Sequence, residues 1–155
     1  MTLSGTPQIT YTENYSACGA PTSVSCGTAI QKPGATVSIS WSGATDGTNN
    51  TIAGYTVYYN AGSAPTTSSS SVNVNASPYT FTIPSGATRG TTYYFKVLTR
   101  GSVSGYNSGL SSAQATTKVN SLPAVPSVTV NKARIKSTGE TVTFTVTAGS
   151  DGDSG

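Results

Sequence analysis

Apolar and polar side chains alternate along several stretches of the chain. The clearest is 91–100, TTYYFKVLTR, where Tyr93, Phe95 and Val97 would face one way and Tyr94, Lys96, Leu98 and Arg100 the other. A period of two carried by aromatic and β-branched residues predicts a half-buried strand. Gly90 and Gly101 punctuate its ends. Val37, Ile39 and Trp41 alternate in VSISW, and Tyr55, Val57 and Tyr59 do so in GYTVYY. Shorter strands are expected at 22–25, after Pro21 as an edge strand allows, and at 72–75, 79–83 and 110–119, with a further short one at 9–12. KPG at 32–34, GATDGTNN at 43–50 and SGATRG at 85–90 read as turns, and the Ser/Thr-rich 60–71 and Gly/Ser-rich 101–109 as loops. No stretch keeps an apolar period of 3.6, so no helix is expected. Three apolar strand faces separated by turn-rich loops predict an all-β fold, with two sheets packed face to face.

The pattern repeats. Residues 126–152 echo 21–47 at a constant offset of 105. Pro21 matches Pro126, Gly34 matches Gly139, and Thr36 matches Thr141. Val37, Ile39 and Trp41 match Val142, Phe144 and Val146, and Asp46-Gly47 matches Asp151-Gly152. The expected organisation is a lead-in at 1–20, a complete unit at 21–119, a stiff linker at 120–126 (NSLPAVP), and the first strands of a second copy at 127–155. Two strands alone are marginally stable in water. The second copy is therefore expected to dock, to pair with another chain, or to be poorly ordered, and donation of its strands to a neighbouring subunit is one form of pairing.

Composition narrows the class. Charged residues are only 8% of the 155 and hydrophobic residues 35%; the remainder is dominated by Ser, Thr, Gly and Asn, which suits a β domain with a hydroxyl-rich surface. A net charge of +3, scattered and without basic clusters interleaved with aromatics, gives no support for nucleic acid as a partner. No apolar run is long enough for membrane insertion. The opening MTLSGTPQ has neither a basic start nor an apolar core, so no secretory leader is expected. The expectation is then either a protein that never uses the general secretion route or a fragment of a longer chain.

Candidate chemistry is sparse. The chain has no His, and of its acids (Glu13, Asp46, Glu140, Asp151, Asp153) only Asp46 falls within 21–119, next to a Gly where a turn former is expected. General acid–base catalysis wants a His or a carboxylate pair, and a nucleophilic Cys wants a base. No catalytic residues, no metal site and no cofactor are therefore expected; one loop carboxylate is too few for calcium. Cys18 and Cys26 admit three readings: two separate thiols, a loop-closing disulfide, or a metal site with no second pair to complete it. If 21–25 is extended, eight residues of strand span roughly 26 Å, too far for a disulfide between them. Asn14, Asn49 and Asn75 lie in N-x-Ser/Thr sequons, which chance explains in so hydroxyl-rich a chain.

The unit at 21–119 resembles a fibronectin type III domain. Val37, Ile39 and Trp41 match the family's second strand; Ile52, Gly54-Tyr55, Val57 and Tyr59 match its third; and Thr91, Tyr93, Phe95 and Val97 match the corner before its sixth. The resemblance implies an immunoglobulin-like β-sandwich of about seven strands, with Trp41, Tyr55, Val57, Tyr93, Phe95 and Val97 in the core. It also implies a tyrosine corner at Tyr93, its ring buried and its hydroxyl bonded to backbone upstream. Integrin-binding members carry Arg-Gly-Asp after the sixth strand; here Arg100-Gly101-Ser102 lacks the acid. The hydroxyl-rich loops are similar to repeats of phage tail and virion proteins and of bacterial secreted proteins.

What remains is a surface. In this fold the third and sixth strands are neighbours, so Tyr58, Tyr94, Lys96 and Arg100 would share the outward side, with Tyr106 from the next loop joining them. Tyrosines beside cations form contact surfaces, and they also serve as plain cross-strand packing. The expected role is non-enzymatic: a spacer, decoration or weak attachment module on a phage virion, meeting neighbouring domains or subunits and host-surface glycans. The alternative is an accessory or linker domain of a secreted polysaccharide-degrading enzyme or a surface adhesin, located extracellularly.

Overall fold

A computed structural model describes residues 12–151. The strand expected at 9–12 lies, for 9–11, outside the described residues. The described residues form an all-β sandwich followed by a two-stranded ribbon. One sheet holds β1 (Ser23–Cys26), β3 (Thr36–Ser42) and β6 (Tyr79–Thr82), in the order β1-β3-β6. The other holds β2 (Ile30–Gln31), β4 (Ile52–Ala61), β5 (Ser70–Val74), β7 (Thr92–Gly101) and β8 (Ala115–Val119), in the order β2-β8-β7-β4-β5.

The alternation of β3 explains its position. Val37, Ile39 and Trp41 are buried, while Thr36, Ser38 and Ser42 are exposed. This face meets Val57, Phe95 and Val97 of the opposite sheet, all fully buried. Phe81 of β6 joins the two layers, with its ring 4.9 Å from Tyr59, 5.0 Å from Phe95 and 5.6 Å from Tyr93. Trp41 meets half-buried Tyr55 edge-on at 5.2 Å. Such tilted and edge-to-face pairs favour the ring quadrupoles and hold the layers in one registration.

Several boundaries differ from the sequence reading. β2 has only two residues and pairs parallel with β8, Ile30 opposite Lys118 and Gln31 opposite Val119. Two residues carry no periodicity, so this change of sheet after β1 leaves no sequence signal. β4 runs on to Ala61 and β5 begins at Ser70, so the pair extends into the stretch expected to be loop. The last strand of the sandwich is only Ala115–Val119. Upstream of it, Ser108 and Ser111 use both backbone and side chain along β7. Their amides donate to the carbonyls of Thr99 (2.9 Å) and Val97 (2.8 Å). Their hydroxyls accept from the amides of the same two residues, at 2.8 and 3.1 Å. Side chains thus replace part of the ladder, which is why the regular strand starts late.

Tyr93 is buried, packed against Phe81. Its hydroxyl makes no hydrogen bond to a described residue, so the tyrosine corner here is a packing feature. The backbone of that corner is satisfied without it: Ala87 N donates to Pro84 O, Thr91 N to Thr88 O, and Gly90 N to Val119 O.

β9 (Ser127–Val130) and β10 (Phe144–Thr147) form the ribbon. Val130 faces Phe144 and Val128 faces Val146, so four apolar side chains share one face, each 48–66% exposed. At the 105-residue offset, the β1–β3 register would instead place Thr129 opposite Val146, because Val24 faces Trp41. The one-residue difference follows the hydrophobic pattern, which in 127–130 is apolar at even positions.

Candidate functional site

The side of the five-stranded sheet turned away from the core carries the candidate residues. Register fixes the arrangement. On β4 and β7, Tyr58 lies opposite Lys96, Asn60 opposite Tyr94, and Thr56 opposite Leu98. β5 adds Ser71 beside Tyr58 and Asn73 beside Thr56, and β8 adds Thr116 beside Tyr94. Tyr58 and Tyr94 are therefore diagonal neighbours across the Lys96 position, a separation of roughly 7–8 Å between Cα atoms that two phenol rings can bridge. Tyr58, Tyr94 and Lys96 are all half-buried.

Below them the face tightens. Thr56 is buried, and its hydroxyl hydrogen-bonds Asn73 Oδ1 at 2.7 Å. Leu98 is buried too, although it points away from the core. A bridge places Leu110 beside it on the strand side opposite Thr56, so both flanks are covered. Alternation alone assigns Leu98 to the exposed side; the 108–111 segment lying along β7 removes it from water.

Arg100 has a different use. Its guanidinium crosses over Gly54 and donates from Nε to Tyr55 O at 3.3 Å and from Nη2 to Val74 O at 3.4 Å. It ties β7 across β4 to the edge strand β5. Lys96 stands between the two tyrosines, and Lys118 of β8 lies diagonal to Tyr94 on the same face.

Tyr106 is not brought to this face. Tyr94 lies near the start of β7 and Tyr106 follows its end, and seven residues of strand span roughly 23 Å. Tyr106 sits at the loop end of the sandwich, 38% exposed, its ring 5.6 Å from Tyr15. Its carbonyl accepts from Cys18 N at 3.2 Å and from Asn50 Nδ2 at 2.8 Å.

Asn50 organises that end and was not singled out by the sequence. It is 1% exposed. Its Nδ2 also donates to Ser16 O at 2.9 Å, and its Oδ1 accepts from Val103 N at 3.0 Å. One side chain thus joins the lead-in, the 43–50 loop and the 101–109 loop. GTNNT gives no reason to prefer Asn50 to Asn49, because its burial depends on two segments distant in sequence. Asn49 takes the left-handed conformation (φ 49) and donates from Nδ2 to Asn14 O at 3.0 Å.

Polar chemistry at this end is structural. Asp46 Oδ1 accepts from Ile52 N at 2.7 Å, as a turn former does. Cys18 is buried and free, its thiol 3.6 Å from Asn50 O; Cys26, also free, contacts Thr28 O at 3.2 Å. No group of three or more His, Cys, Asp or Glu gathers among the described residues.

The chain matches no curated protein. The profile of the fibronectin type III domain matches residues 19–118, which covers both sheets from β1 through nearly all of β8. Domains of this kind are typically non-catalytic structural or adhesion modules. Sandwich topology, the buried Trp41 and Tyr93, and this match together place the chain in the fibronectin type III family.

Proposed function

We propose that the protein is a non-enzymatic spacer and attachment module of a phage virion or tail-associated protein, and that it holds host-surface glycans weakly through the outer face of its five-stranded sheet. The observation that carries this reading is the diagonal placement of Tyr58 and Tyr94 across Lys96, on a face that does not contribute to the core. A phenol ring offers an apolar surface for sugar C–H groups and a hydroxyl for their oxygens, and a cation between two rings adds a hydrogen-bond donor. A flat face binds a single sugar chain weakly; repetition of the module in an assembly raises avidity through effective concentration.

Two further features support a place in a larger assembly. The ribbon exposes Val128, Val130, Phe144 and Val146 on one side, a surface suited to a neighbouring domain or subunit. The hydroxyl-rich, charge-poor surface matches the repeats of phage structural proteins that the sequence resembles. Asp46, the one carboxylate between 21 and 119, is engaged with the Ile52 amide, which favours a binding role over catalysis.

The test is calorimetric binding to purified host-wall polysaccharide and to mucin, with Tyr58→Ala/Tyr94→Ala beside the native chain and Tyr106→Ala as a control. Saturable binding lost in the double variant and kept in Tyr106→Ala supports the reading. Absence of binding by the native chain refutes glycan attachment. Antibody labelling of purified virions tests the location; unlabelled virions, with the domain found instead beside a catalytic domain in a secreted enzyme, would favour the accessory-domain alternative.

A further inference from the structure

The 131–143 turn gathers cations. Lys132, Arg134 and Lys136 are three of the eight Lys and Arg residues in the chain, placed at alternate positions within five residues. With Ala133 and Glu140 they line an open cavity of about 390 Å³. That lies within the range of small-ligand sites and exceeds the need of a single ion.

Glu140 is the one carboxylate in the cavity wall, and it is already engaged. Its Oε2 lies 3.2 Å from Lys132 Nζ and 3.5 Å from Lys136 N, and its Oε1 accepts from Ser137 Oγ at 3.4 Å. Arg134 and the Lys136 ammonium have no carboxylate partner among the described residues. Three cations against one paired carboxylate leave the cavity positive.

The turn does not need these charges. At the 105-residue offset, Lys132, Arg134 and Lys136 correspond to Gly27, Ala29 and Gln31, and Glu140 to Ala35. Both segments turn at a left-handed glycine, Gly34 with φ 79 and Gly139 with φ 90. The sandwich segment carries no charge at these four positions and still turns at its glycine, although it takes a different path through β2, so the cations are additions to a turn that Gly139 already makes. Two cations elsewhere have structural partners: Arg100 bonds two carbonyls across Gly54, and Arg89 bonds Asn120 O at 3.4 Å.

We infer that the 131–143 turn is an oxyanion-binding site, in which Arg134 and Lys136, with Lys132 held by Glu140, take the sulfate or phosphate ester groups of a surface polymer. The guanidinium of Arg134 offers a planar fork that matches two oxygens of such a group, and Lys136 adds a point charge. The site is independent of the tyrosine face, so either can fail without the other.

The experiment is an NMR titration of the full chain with inorganic sulfate, inorganic phosphate, dextran sulfate and poly(glycerol phosphate), the polymers deciding between the two ester sources. Saturable shifts in 131–140 are expected with at least one polymer, weakening severalfold between about 50 and 200 mM salt. Arg134→Gln/Lys136→Gln is expected to weaken binding by about tenfold or more, with the Val130 and Phe144 amides unmoved to show that the ribbon persists. Arg134→Lys, which keeps the charge, should retain more affinity than Arg134→Gln. Lys32→Gln, in the corresponding turn of the sandwich, should have no effect. No saturable shift with any probe, or equal loss in Lys32→Gln, overturns the site and leaves only diffuse attraction to net charge.

Discussion

Arg100 reaches across Gly54 to bond the carbonyls of Tyr55 and Val74, and Gly54 is the residue that leaves it room. A Cβ at position 54 would stand 2.5 Å from Arg100 Nη2 and 2.9 Å from Val74 O. Gly54 also has φ 148, at the register shift where β4 bulges against β7. The glycine and the arginine form one device that fastens edge strand β5 to the centre of the sheet.

Gly54→Ala should therefore cost about 2 kcal/mol in denaturant unfolding, from backbone strain and displacement of the guanidinium. Arg100→Ala alone should cost about 1 kcal/mol. In a double-mutant cycle the two costs should fall short of additivity by about 0.5 kcal/mol or more. Strict additivity would show that the arginine does not depend on the glycine.

Asn50 is the polar counterpart at the loop end. Asn50→Ala leaves Val103 N and Ser16 O without their partner and takes from Tyr106 O one of its two donors, and should cost about 3 kcal/mol. Asn50→Asp keeps an acceptor for Val103 N but sets a carboxylate against two carbonyl oxygens, and should be worse at neutral pH. Hydrogen exchange should quicken first at Ser16, Cys18 and Val103, while Phe95 and Val97 in the core stay protected.

Phe81 touches three aromatic rings across the layers. Phe81→Ala should cost about 3–5 kcal/mol, more than Phe81→Leu, which refills part of the space. Thermal unfolding of the two variants checks the order.

Tyr79 gives a pH signature. Burial, and then the neighbouring Tyr59, raise its pKa above the ordinary value of about 10. The folded state thus holds the phenol proton more tightly than the unfolded state. The resulting stability is fully present below the ordinary tyrosine pKa and is lost as pH rises through the raised one. Tyr79→Phe removes this dependence, so the native chain should lose more stability than the variant between pH 9 and pH 11 (both about one unit from the ordinary value). Parallel slopes would contradict the burial argument.

The legible parts were those where one strand's two faces differ in chemistry. β3 and β7 were readable because Val37, Ile39, Trp41, Tyr93, Phe95 and Val97 alternate with polar neighbours. Phe81 had the same signal in YTFTI but stood in a short strand, which hid its position at the centre of the aromatic cluster. Alternation also placed Tyr58, Tyr94, Lys96 and Arg100 on one side, but it says nothing of where a long side chain lies down. Arg100 lies over a glycine, Leu98 is covered by a segment twelve residues on, and Tyr106 belongs to the other end of the sheet. Asn50 was invisible because a buried asparagine is defined by the carbonyls that reach it from elsewhere.

Amide shift mapping of the chain during titration with host-wall polysaccharide tests the proposed contact surface, the Tyr58–Lys96–Tyr94 face. Saturable shifts centred on Tyr58, Asn60, Tyr94 and Lys96 are expected, abolished in Tyr58→Ala/Tyr94→Ala while the core amides of Val57 and Phe95 hold their positions. Shifts confined to the loop end around Tyr15 and Tyr106, or binding that survives the double variant, would contradict it.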